Sequence, residues 1–327
     1  MKTIAVLSAM LLASAIGSAQ ATPAQTNPPP QSQAPAQGSG AQTPNGSATP
    51  SGAQTAPTNG GHRMLQAKSQ DELKAYQDAA AKTDAAQAEA AANDFSAKFP
   101  NSELRAALYM RAMNMYAQAN NSDKVIEIGR QAIAADPINP VPLMEVASTL
   151  AETTRDTDLD REQRLAEAAK DAQAAIDNLD TGLLVPANAD PERVAGAKHT
   201  ILMNSYDTLA MVDMSRNDYA AAVTNLQKAL DASKASPDAV IYLRLSVAQD
   251  KLQQYPQALD SANKAVQLSK DGSAAQNLAK QQQERMQKLM SAQAPGAAAA
   301  PMSPSHTPAP GAPASTTPAP GQPTTPH

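Results

Sequence analysis

From Leu65 to Met290 the apolar residues recur every three or four positions, and nowhere does the chain alternate apolar with polar as a half-buried strand would. Leu143, Val146, Ala147 and Leu150 are one such stripe, and they predict a helix after Pro140. Asp136-Pro137 ends the helix before it, because proline cannot continue the hydrogen-bond ladder. A degenerate helix pair begins near Ser69 and includes Ala88, Phe95 and Phe99-Pro100. Two connections are longer than the rest: about nine extra residues in the unit between Pro140 and Asp180, and the link from Thr181 to Pro191. Ser273 to Met290 reads as a last, polar helix. A stacked array needs such a cap over its final apolar face.

Outside this segment the pattern stops. Neither Thr22–Gly61 nor Ser291–His327 contains a Lys, Arg, Asp or Glu, and both are built from Pro, Ala, Gln, Thr, Ser and Gly. With little to bury and φ fixed at many prolines, residues 22–64 and 291–327 are expected to be disordered, partly polyproline-like tails. The first 21 residues differ again. Lys2, an apolar run from Ile4 to Ile16 and Ala19-Gln20-Ala21 have the three-part order of a secretory signal peptide. The run is too short to span a bilayer, which takes roughly 20 residues. The mature chain is therefore expected to be exported, to the periplasm or beyond. It has no cysteine, so no disulfide and no thiolate site. All 31 acids and 25 of the 26 bases lie between the two uncharged stretches, in residues 62–290, and this mild acidity gives no footprint for nucleic acid.

The helical segment repeats. Tyr206 and Tyr242, Leu209 and Leu245, Tyr219 and Tyr255, Ala222 and Ala258, Lys228 and Lys264, and Ala229 and Ala265 each lie 36 positions apart, and a period in this range means a stacked array. Asn217-Asp218-Tyr219 followed by Ala222 and Ala229-Leu230 resembles the second helix of a tetratricopeptide unit, and Gln254-Tyr255 with Ala258 and Ala265-Val266 repeats it. An earlier unit reads Tyr109, Tyr116, Asn120, Ala132-Ile133 and Asp136-Pro137, and the unit between supplies Ala168 and Ala175-Ile176. One departure is Asp213, where the family prefers an aromatic, and looser packing is expected there. The resemblance implies an all-α, right-handed superhelical solenoid of helix-turn-helix units over residues 65–290. It also implies a non-enzymatic scaffold that holds a peptide or protein in its concave face.

By position, the resemblance puts Met110, Asn114 and Gln118 on that face, then Met144 and Ser148. The later units add Asn204, Asp207, Met211 and Met214, then Leu243, Val247, Asp250 and Lys251. Asn114 matches one position of the family's carboxylate clamp, but the basic partners are missing. The methionines fit either adaptable apolar recognition or packing between units. The partner expected is a protein or peptide of the cell envelope; a spacer that binds cell wall through its tails is the rival reading.

No catalytic or cofactor motif is legible. His199 stands alone in the repeats, and neither a phosphate loop nor a zinc-helix signature is present. Asp156, Asp158, Asp160 and Glu167 have the oxygen spacing of a calcium loop, yet Arg161 stands where that loop needs glycine. The competing reading is a helix start, with Asp160 as N-cap and Gln163 completing a capping box.

Overall fold

A computed structural model describes residues 63, 65–186, 188–233 and 236–293. The expected leader, the N-terminal tail except Arg63, and the C-terminal tail from residue 294 lie outside them.

Among the described residues the chain is all α. The helices are α1 (Gln70–Ala80), α2 (Ala85–Lys98), α3 (Leu104–Gln118), α4 (Ser122–Ala135), α5 (Pro140–Thr153) and α6 (Arg161–Asp177). After a single turn, α7 (Leu179–Gly182), come α8 (Pro191–Ser215), α9 (Tyr219–Ala232), α10 (Ala239–Lys251), α11 (Tyr255–Leu268) and α12 (Ala274–Gln293). Local chemistry sets most of the starts. Side-chain oxygens of Ser69, Asp84, Asn121, Asn139, Asp190, Asp218 and Asp238 each accept a first-turn backbone N–H. Proline lies in the first turn of α5, α8 and α11, where its missing N–H costs nothing. The start of α6 departs from expectation: Asp160 is the N-cap residue, but its side chain makes no capping bond, so no capping box forms.

Consecutive helices pack as antiparallel pairs, α1 with α2, α3 with α4, α5 with α6, α8 with α9 and α10 with α11, and α12 covers the last pair. The alanines named above sit at the crossings. Ala132, Ala168, Ala175, Ala222, Ala229, Ala258 and Ala265 are all fully buried, so no larger side chain fits at that helix separation. Three of the turns between paired helices share one backbone device. Asn120, Asn217 and Gln253 adopt φ of 55°, 62° and 60°, the left-handed conformation that reverses the chain after a first helix. The aromatic positions repeat as well: Lys228 lies 5.3 Å from the Tyr206 ring centroid and Lys264 lies 5.6 Å from that of Tyr242.

Asp213 does not loosen its unit. The Asn225 amide of α9 donates to its carboxylate at 2.8 Å, and 36 residues on the Ser261 hydroxyl donates to Gln249 Oε1, also at 2.8 Å. A polar contact thus replaces the aromatic one at the same helix crossing. In the earlier unit the same place is held by Tyr116, whose hydroxyl donates to Glu89 of α2 at 2.5 Å.

The two long connections do different things. Residues 154–160 lead into α6, with Arg164 reaching back to the Thr153 and Thr154 hydroxyls at 2.7 and 3.0 Å. The link after α6 turns at Gly182, where a Cβ would lie 1.7 Å from the Ile138 carbonyl oxygen, and then makes α8 the longest helix, 25 residues. The residues before α1 run along the edge where units join. Lys68 Nζ donates to the Asn101 carbonyl at 2.8 Å, and the Arg63 guanidinium meets the nearly buried Asp136 carboxylate at 2.8 Å. Arg63 also bridges Leu184 in parallel, and Val185 N–H donates to its carbonyl at 3.3 Å.

Candidate functional site

Curvature follows from which helices touch. The first helices of neighbouring units meet, α1 with α3, α5 with α8 and α10 with α12, whereas neighbouring second helices have at most marginal contact. The first helices therefore form the inner row and the second helices splay outward. Side chains tie the inner row where helix contact is slight. The Asn139 amide donates to Met110 Sδ at 3.4 Å, joining α3 to the start of α5, and Arg244 of α10 pairs with Asp207 of α8.

The thirteen residues expected on this surface divide into three groups. Met110 and Met144 are 3% and 4% exposed, so they are packing between units rather than groove lining. The Asn204 amide of α8 donates to Met144 Sδ at 3.5 Å, which makes this sulfur a joint between α5 and α8. Met211 packs beside Val146, Leu150 and Leu165, and Met214 packs in the α8–α9–α10 core. The choice between recognition and packing falls to packing for most of their surface. A second group is committed or turned away. Asp250 is 8% exposed and held by Arg285 of α12 at 2.8 Å, while Lys251 lies 6.0 Å from the Tyr219 ring, toward α9. Gln118 is exposed at the C-terminal end of α3. The third group, Asn114, Ser148, Asn204, Asp207, Leu243 and Val247, is half-buried and remains with the inner row.

Several inner-row residues were not singled out from sequence. Glu145 and Glu152 lie two turns apart on α5, one on each side of Ser148, and Glu152 feels the charges of both Arg244 and Asp207. Burial pushes the carboxyls of Glu145, Glu152 and Asp207 above the usual range; the Glu152 charge adds to this at Glu145, whereas Arg244 opposes it at the other two. The spacing of seven on one helix face was the available signal. The family's concave positions on α5 do not include either residue.

The calcium-loop carboxylates do not converge. Glu167 is engaged twice by the Arg130 guanidinium of α4, both at 2.7 Å, Asp156 faces Arg161 at 3.3 Å, and Asp158 accepts the Arg155 N–H at 2.8 Å. Arg161, in the glycine's place, fills the loop itself. Among the described residues no three of His, Asp or Glu are grouped to hold a metal ion. An open cleft of about 660 Å³ lies between the second helices α9 and α11, with Tyr242, Gln249, Ser261 and Lys264 in its lining. None of the expected residues lines it. No described helix is long and apolar enough to cross a membrane.

No protein-family model matches the chain, and no curated protein matches it either. Solved structures of similar fold include one described as the crystal structure of MamA, at TM-score 0.35 and 14% identity, covering 55% of this chain and 94% of that one. Another is Acl4, described as the assembly chaperone of RpL4, at TM-score 0.33 and 12% identity, covering 68% of this chain and 97% of the other. Likeness at this level says nothing of what the present chain binds. The helix pairs, the alanine crossings and the inner row define the architecture: an all-α, tetratricopeptide-like solenoid.

Proposed function

We propose that this protein is a non-enzymatic scaffold of the cell envelope that holds a segment of a partner protein against the inner row of first helices. The observation that supports this most is the make-up of that row from α5 to α10. Ser148, Asn204, Leu243 and Val247 are half-buried there and mix amide and hydroxyl groups with aliphatic surface. Such a surface can hold a partner backbone by hydrogen bonds and its side chains by contact area. Export rests on the Lys2, Ile4–Ile16 and Ala19-Gln20-Ala21 pattern, and the envelope location follows from it.

Site-specific photo-crosslinking in the producing cell tests the reading. A benzophenone side chain at Ser148 or Val247 should give discrete adducts, while the same group at the exposed second-helix positions Gln173 or Gln267 should not. Val247→Glu should remove the adduct formed at Ser148. Adducts that form equally at all four positions, or not at all on the inner row, would overturn it.

A further inference from the structure

The cleft between α9 and α11 is a trough with polar rims and a buried floor. Gln227 of α9 and Gln257 of α11 stand exposed on its two sides, whereas Leu245, Gln249 and Ser261 beneath them are 5%, 6% and 4% exposed. Tyr242 of α10 adds a half-buried aromatic ring, with the Lys264 ammonium 5.6 Å from its centroid. Lys264 is in turn paired with Asp260 at 2.9 Å, so this part of the rim carries no net charge. The floor is not satisfied. Gln249 accepts the Ser261 hydroxyl on Oε1 at 2.8 Å, but its amide N–H groups have no partner among the described residues. A side chain more than nine-tenths buried thus keeps two donors for whatever fills the trough, and donors left so are costly.

An extended, proline-rich strand meets these features. In the polyproline II conformation it has no internal hydrogen bonds, so its carbonyls are free to accept, and its rings pack against aromatic side chains. The chain itself contains such a sequence: Pro301, Pro304, Pro308 and Pro310 follow α12 in a stretch without Lys, Arg, Asp or Glu. We propose that residues 301–310 of the same chain lie in this trough, with Gln249 and the rim glutamines donating to their carbonyls and a proline ring against Tyr242. α12 delivers that segment to the right end. It runs antiparallel to α11, with the Gln283 amide donating to Asn263 Oδ1 at 2.7 Å, so its last residues come level with Pro256 and Gln257. From there residues 294–300, extended at about 3.1 Å each, reach roughly 20 Å, enough to pass the start of α11, a helix about 10–12 Å across. The N-terminal tail, of similar composition, meets the array instead at Arg63, beside Asp136 and Leu184 of the earlier units. The trough lies outside the inner row, so this site and the partner surface stand or fall separately.

The chain has no cysteine, so a single one can report where the tail lies. Ser305→Cys in the full chain, labelled with benzophenone maleimide and irradiated, should give adducts within one chain. Peptide mass spectrometry should map them to α9 and α11 around the trough. Replacing Pro301, Pro304, Pro308 and Pro310 by alanine touches no residue of the helical array and should cut the yield about fivefold. Gln257→Arg on the exposed rim should do the same, with helical circular dichroism and melting temperature unchanged. Adducts that are absent or scattered over the array, or a yield indifferent to both changes, overturn the proposal. Adducts that join two copies and grow with concentration also overturn it, giving the trough to a neighbour's tail. Equal trough adducts from a benzophenone carried by Ser47→Cys overturn it in favour of the N-terminal tail.

Discussion

At the residue scale the carboxylates of the second helices tell as much as those of the inner row. Asp171 on α6 is 6% exposed, and burial, helped by the Glu167 charge, pushes its pKa up to about 6 from an ordinary 3.8. A raised acid pKa means the folded protein binds more protons than the unfolded chain between those two values, so stability falls as pH rises through that window. Above it the penalty is complete; below about pH 4 it is gone. Asp171→Asn should therefore stabilise the protein at pH 7.5, on the order of 1 kcal/mol, with the gain vanishing near pH 4. Melting curves at the two pH values check this. Residue chemistry of this kind was invisible in the sequence. Asp171 looks like any acid on a polar helix face until Arg130 of α4 is seen to be spent on Glu167 instead.

Helices and their crossings were the most legible part of the chain. Tyrosine and alanine spacing located every pair from α3 onward, because those residues are there for geometric reasons that repeat with the unit. What spacing could not give was the partner across each crossing. Asp213 departs from the family's aromatic, yet the Asn225 amide lies 2.8 Å from it; Met110 and Met144 fit either recognition or packing by sequence, and their sulfurs accept from Asn139 and Asn204. Family positions name a helix face, whereas burial depends on the neighbouring unit. A glycine makes the same point. Gly129 of α4 has no role in the repeat pattern, yet a Cβ there would lie 2.3 Å from Val146 Cγ2 and 3.1 Å from Met113 Sδ. Gly129→Ala gains up to about 1 kcal/mol of helix propensity. Overpacking against the fully buried Val146 costs about 1–3 kcal/mol, so a net loss is expected. A urea titration should move to lower midpoint with its slope unchanged; a stabilised variant would mean α4 and α5 can separate freely.

Seen whole, the molecule is not a simple nearest-neighbour stack. Repeat arrays gain stability from each unit touching the next, and they can fray from either end. Here the residues before α1 reach past the first unit boundary at Asn101, past the second at Asp136, and on to Leu184 beside the third unit. Units one to three are thereby tied into one block, while among the described residues no such strap runs along α8 to α12. Arg63→Ala leaves the Asp136 carboxylate, 4% exposed, without its cation, a loss of about 1–3 kcal/mol given that Arg63 itself is partly wet. Hydrogen exchange followed along the chain should show α1 to α4 opening faster in the variant, with α10 and α11 unchanged. Uniform change along the chain would mean the strap does not divide the molecule.

The same strap also decides where a pull would land. Tension applied to the chain ahead of Arg63 reaches the Arg63–Asp136 pair and the Leu184 bridge before it reaches α1. A tether at that end would therefore load the second and third units first, in shear along the array's edge, and leave the terminal helix pair slack until those fastenings give way.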